Sequence, residues 1–222
     1  ALQLPAIMKA KEMGLNVAVA DYNPQAVGIP YADEYYNIST IDEKAICNAA
    51  KEFRADGIMT MATDMPMRSV AYTCEKLGLC GISYETAQKA TDKEAMIRAF
   101  KANGVEHPWF FVLKSPEDLP AILPSLTYPC ICKPTDSSGS RGVALVFDDL
   151  DIYDAVLYST DSSRTGRVII EEYLQGMEVS VEIIVHEGKA HVIAVTDKST
   201  TGAPHFVEMG HSQPSQLSLH AL

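Results

Sequence analysis

The chain has 222 residues and sets 18 Lys and Arg against 29 Asp and Glu, for a formal net charge of −11. That length allows one large domain or two modest ones, and an ordinary share of apolar residues argues against disorder. No apolar run approaches the ~18–20 residues that cross a bilayer, and the acidic balance argues against the broad Lys/Arg face of non-specific nucleic-acid binding.

The first elements follow from periodicity. Leu2, Leu4, Ile7, Met8 and Met13 recur at helical spacing and stop at Gly14. Asn16–Asp21 reads as a short buried strand, and Asn23-Pro24 turns the chain after it. A helix is expected over Asp42–Arg54, a second apolar strand over Gly57–Met61, and another helix over Pro66–Leu77 that Gly78 closes. Helices alternating with short apolar strands predict a parallel sheet covered by helices. Residues 1–90 are therefore read as one open α/β domain. The chain opens at Ala1 inside a helical pattern, with no initiator Met or signal segment. The expectation is a piece of a longer protein whose first strand lies upstream.

The pattern then changes. Asp92 can cap a helix over Lys93–Ala102, and Ser115-Pro116-Glu117-Asp118 has the oxygen, first-turn Pro and acidic residue of a second helix start. Strands are expected over Pro129–Lys133, Val143–Phe147, Arg167–Tyr173 and Glu178–Val185. The last meets Ala190–Thr196 through His186-Glu187-Gly188-Lys189, a hairpin signal. Residues 91–222 therefore predict a second domain of antiparallel or mixed α+β type. Five cysteines (Cys47, Cys74, Cys80, Cys130 and Cys132) form no CxxC pair, so reduced thiols in a cytoplasmic protein are expected.

Several chemistries drop out at once. The chain has no GxxxxGK[ST] loop, no GxGxxG after a strand, no GxSxG elbow and no HExxH. Asp21 lacks the glycine turn that a ribose-binding strand end would need, and His205 and His211 are too far apart to suggest a ligand pair. Asp64 either sits at the carboxyl edge of the sheet, where ligands bind, or caps the helix near Pro66. The informative stretch is Lys133-Pro134-Thr135-Asp136-Ser137-Ser138-Gly139-Ser140-Arg141-Gly142-Val143. A strand delivers a lysine, and small residues then cross to the next strand, so backbone N–H groups can approach anionic oxygens. Lys133 and Arg141 add two cations. A flexible surface hairpin with ordinary charges is the alternative.

The ordered set of Thr91-Asp92-Lys93, Lys133, the small-residue loop, Glu171-Glu172-Tyr173-Leu174 and Gly176-Met177-Glu178 resembles the nucleotide site of the ATP-grasp superfamily. Its carbamoyl-phosphate-synthetase-like and amino-acid-ligase members look most similar. The resemblance implies a Rossmann-like domain over 1–90, then an incomplete ATP-grasp α+β domain over 91–222 with a lid over about 113–172. It implies that Lys93 and Lys133 bind ATP phosphates, with Ser137, Ser138, Gly139 and Ser140 forming the lid loop. Glu171, Glu172, Tyr173 and Leu174 would be the adenine hinge, and Glu178 the ribose acceptor. Asp197-Lys198 and Glu208-x-Gly210-His211-Ser212-Gln213-Pro214 resemble the segment that approaches the triphosphate and acceptor, and His211 from it, with the loop cation Arg141, are the candidate catalytic residues.

The same resemblance implies ATP and Mg2+ as cofactors. The reaction would be activation of a small carboxylate as an acylphosphate for attack by an amine-type nucleophile. Two alternatives stay open: a bicarbonate-using carboxylase or carbamoyl-phosphate-forming subunit, and a non-catalytic ATP-binding module. The family's acidic metal ligands are expected beyond Leu222, so no residue of this chain is assigned to the metal. Partners are then small molecules, with no nucleic acid and no membrane, and since family members are often dimers the expectation extends to a homodimer.

Overall fold

The computed structural model describes residues 2–204 and 206–218. The chain divides into two compact units, Ala1–Asn103 and Gly104–Leu222.

The first unit opens with helix α1 (Leu4–Glu12), strand β1 (Ala18–Ala20) and strand β2 (Glu34–Tyr36). β1 and β2 pair in parallel, with Ala18 opposite Glu34 and Ala20 opposite Tyr36. Asp33 joins these pieces. Its carboxylate accepts from the Val17 N–H at 2.7 Å and holds the Lys11 ammonium at 2.6 Å. Helix α2 (Glu43–Phe53) starts where the sequence places a cap, with Asp42 accepting from the Ala45 N–H at 3.0 Å. Its buried residues Ile46, Ala49 and Ala50 share one helical face. That face packs against helix α3 (Met67–Leu77), which buries Val70, Ala71 and Cys74. Pro66 stands at the N-cap of α3, and Asp64 contributes its carbonyl to the Met67 N–H rather than a side-chain cap.

Helices α4 (Tyr84–Thr91) and α5 (Lys93–Ala102) complete the unit. Asp92 is the C-cap of α4 and the N-cap of α5, where its carboxylate accepts from the Ala95 N–H at 2.9 Å. The strand expected over Gly57–Met61 is not one: the segment joins no ladder among the described residues. A side chain takes the place of a neighbouring strand. Gln3 Oε1 accepts from the Met61 N–H at 3.0 Å, and Gln3 Nε2 donates to the Met61 carbonyl. Apolar composition supplied the strand signal, but pairing depends on a remote partner.

The second unit holds two antiparallel sheets. The first uses strands β3 (Phe110–Leu113), β4 (Cys130–Pro134), β5 (Ala144–Val146) and β6 (Val168–Glu172) in the order β3-β6-β4-β5. Helices α6 (Leu119–Ile122) and α7 (Ile152–Asp161) supply Leu119, Ile152 and Val156 to a core with Leu113, Cys130, Cys132, Val146, Val168 and Ile170. Burial pushes the Cys130 thiol up to about 11 and the Cys132 thiol up to about 12, so both stay protonated and inert. The second sheet runs β7 (Val179–His186), β8 (Lys189–Thr200) and β9 (Glu208–Ser212). The expected hairpin turns on Glu187 and Gly188, with φ of 50° and 74°, which is the positive-φ pair that a two-residue hairpin needs.

Candidate nucleotide site

Alternation along β4 decides where the lysine goes. Cys130 and Cys132 are fully buried on the core side of the sheet. Ile131 and Lys133 therefore occupy the opposite face, together with their register partners on β6, Glu171 and Ile169. On that face Lys133 Nζ reaches diagonally to Glu171 Oε2 at 2.5 Å. Both side chains are largely buried, with 23% and 12% of their surface exposed. The strand thus presents one cation beside an apolar floor of Ile131 and Ile169.

The loop after β4 is tied at its base. Asp136 accepts from the Ser163 hydroxyl at 2.9 Å, from the Arg164 N–H at 3.1 Å and from the Thr165 N–H at 3.0 Å. Burial works against its charge, but the hydrogen bonds from Ser163, Arg164 and Thr165 outweigh it and hold the carboxyl below its ordinary value. Because the folded value is depressed, this stabilisation is complete above the unfolded pKa of about 3.9 and fades as pH falls through the folded value. Asp136→Asn is expected to flatten the acid limb of the stability–pH curve and leave the neutral limb's shape unchanged. Urea titrations at stepped pH would check this, and an acid limb identical to wild type would contradict it.

The rest of the loop uses backbone conformations that small residues permit. Gly139, Ser140 and Gly142 have φ of 67°, 58° and 74°. Gly142 packs so closely that an added Cβ would lie 2.5 Å from Ser162 Cβ and 2.7 Å from Pro134 Cγ. Two of the loop hydroxyls are already engaged. Ser137 donates to the Ser162 carbonyl at 2.7 Å and Ser140 to the Phe206 carbonyl at 2.8 Å. Arg141 is exposed and its Nε donates to the Ser138 carbonyl at 3.2 Å.

The 171–174 segment splits by face. Glu171 is buried against Lys133, whereas Glu172 is exposed and its N–H donates to the Trp109 carbonyl at 3.1 Å. The Tyr173 ring lies 5.9 Å from that of Phe206, and Leu174 is 63% exposed. Lys93 is the first residue of α5, in the other compact unit.

The β7–β8–β9 sheet gathers the remaining candidates. Glu178 Oε1 meets Lys198 Nζ at 2.6 Å, and Lys198 Nζ lies 3.8 Å from Glu208 Oε2. Glu208 Oε1 is 3.1 Å from His211 Nε2, and His211 Nδ1 is 2.9 Å from Thr196 Oγ1. His205 lies outside the described residues. Among the described residues no group of three or more His, Cys, Asp or Glu comes together to hold a metal ion. No helix among them is long and apolar enough to cross a membrane.

Sequence reasoning missed Asp136 as the loop's anchor, missed Phe206, and placed Lys198 near the triphosphate without its contact to Glu178. The partners of Asp136 lie 27 to 29 residues away, so no local pattern could have revealed it.

Residues 126–222 match the ATP-grasp domain family. The chain is 31% identical to alanine–anticapsin ligase of Bacillus subtilis (strain 168) over 198 residues, covering 79% of this chain and 41% of that protein. It is 24% identical to the carbamoyl phosphate synthase large chain of Pseudomonas putida, covering 83% of this chain and 18% of that one. The structure superposes on an L-amino acid ligase from Bacillus licheniformis with a TM-score of 0.82 at 22% identity, over 99% of this chain and 54% of that chain. The chain thus spans less than half the length of these curated relatives.

Proposed function

From a chain whose residues 126–222 match the ATP-grasp domain family, we propose that the protein is an ATP-dependent ligase joining a carboxylate to an amine. The observation that supports this most is Lys133, set on a sheet face beside Ile131 and Ile169 at the start of a small-residue loop. A cation there and backbone N–H groups in a tied loop suit a polyphosphate. ATP bound there supplies the γ-phosphoryl group that makes an unreactive carboxylate electrophilic.

Each residue then has a stated task. Lys133 and Lys93 neutralise phosphate charge, and the backbone of 137–140 covers the phosphates and keeps water from a hydrolysis-prone activated carboxylate. Ser140 and Ser137 act through position, since their hydroxyls already serve protein carbonyls. Glu171 holds Lys133, and backbone groups of Glu172, Tyr173 and Leu174 lie along the adenine edge. Glu178 accepts from the ribose, while His211 and Arg141 donate to developing negative charge. Residues 1–90 serve as the Rossmann-like domain and about 113–172 as the lid. The substrates are a small carboxylate and an amine, and the homodimer and cytoplasmic location expected above go with this reading.

Glu178→Ala tests the assignment. ATP and ADP are expected to bind roughly tenfold more weakly, the loss of one charge-assisted hydrogen bond. Inorganic tripolyphosphate, which has no ribose, should bind as it does to wild type. Calorimetry showing equal losses for ATP and tripolyphosphate would remove Glu178 from the ribose site.

A further inference from the structure

We infer that Lys198 is a positioning residue that fixes Glu178 in the orientation needed to accept from a nucleotide ribose. The inference rests on the ribose role proposed for Glu178 and gives Lys198 a task at the ribose that the sequence, which sets it near the triphosphate, does not assign. Lys198 lies on β8, the middle strand, and reaches both neighbours. Its Nζ is 2.6 Å from Glu178 Oε1, and its N–H donates to the Glu178 carbonyl at 2.9 Å. The same ammonium lies 3.8 Å from Glu208 Oε2 on β9.

The arrangement restrains Glu178 more than it stabilises the fold. Glu178 and Glu208 are 55% and 54% exposed, and ion pairs in such settings contribute little to stability. Glu178 stands one residue before β7, where its backbone is paired to Lys198 but its side chain is more than half exposed. A free glutamate there would sample several rotamers and lose that freedom on binding. Lys198 removes the freedom in advance: it occupies Oε1 and leaves Oε2 to meet two vicinal hydroxyls. It also keeps Glu178 and Glu208 from repelling each other.

The test is calorimetry on the full-length protein with ATP and inorganic tripolyphosphate, using Lys198→Met, Lys198→Arg, Glu178→Gln and the double variant Lys198→Met/Glu178→Gln. Lys198→Met is expected to weaken ATP about tenfold, a loss of the size seen when a charged hydrogen bond is broken. Tripolyphosphate should be unaffected, Lys198→Arg should recover most of the loss, and the double variant should be no weaker than Glu178→Gln alone. Tripolyphosphate weakened as much as ATP would overturn the inference, because Lys198 would then be a phosphate ligand. Additive losses in the double variant would overturn it too. If Glu178→Gln weakens ATP and Lys198→Met does not, the inference fails while the ribose role stands. If Glu178→Gln leaves ATP unchanged, the ribose role fails and the inference with it.

Discussion

Lys133→Ala is expected to weaken ATP binding by roughly ten- to a hundredfold, the cost of a lost charge-assisted contact in a partly desolvated site. The side chain is only 23% exposed, so water replaces it poorly. Removing it also strands Glu171, 2.5 Å away and 12% exposed, and a buried carboxylate without its cation destabilises the unit. Loss of binding could then reflect loss of fold. The double variant Lys133→Met/Glu171→Gln separates the two, since it leaves no uncompensated charge. It should melt close to wild type and still bind ATP weakly. Wild-type affinity in that double variant would remove Lys133 from the phosphate site.

Gly142→Ala is expected to give the larger loss of stability. The new methyl would sit 2.5 Å from Ser162 Cβ and 2.7 Å from Pro134 Cγ. Overpacking of that kind costs about 1–3 kcal/mol, and a side chain at φ of 74° adds about 1–2 kcal/mol. Gly139→Ala is the matched control. Its φ is 67°, but nothing lies within 4 Å of the added Cβ, so only the backbone term applies. Urea midpoints should fall further for Gly142→Ala than for Gly139→Ala, and equal shifts would show that the approach to Ser162 and Pro134 is not tight.

Local chemistry was legible in the sequence, and remote pairing was not. Asp42 and Asp92 cap α2 and α5 as their positions before apolar-periodic runs imply. The strands β4 to β8 follow short apolar runs between turn residues, and Glu187-Gly188 marks its hairpin. By contrast β9 is Glu-Met-Gly-His-Ser, with no alternation to betray a strand; it exists through pairing with β8. Gly57–Met61 fails in the other direction, apolar enough for a strand but held by the Gln3 amide. In the candidate site the residue types were readable, while their engagements were not. Ser140 reads as a phosphate donor, yet its hydroxyl serves Phe206, 66 residues on.

The shared cap at Asp92 ties two helices into one event. A helix end normally frays alone, exchanging its amide protons through small local openings. Here the residue that ends α4 is the one whose carboxylate holds the Ala95 N–H at the start of α5. The Arg68 guanidinium adds a stay from α3, donating to Thr91 Oγ1 at 2.7 Å. Fraying at this joint therefore costs both helices at once. Deuterium uptake at the last turn of α4 and the first turn of α5 should share one rate, and Asp92→Ala should accelerate both together. Lys93, the next residue, should then exchange its amide proton at that same shared rate.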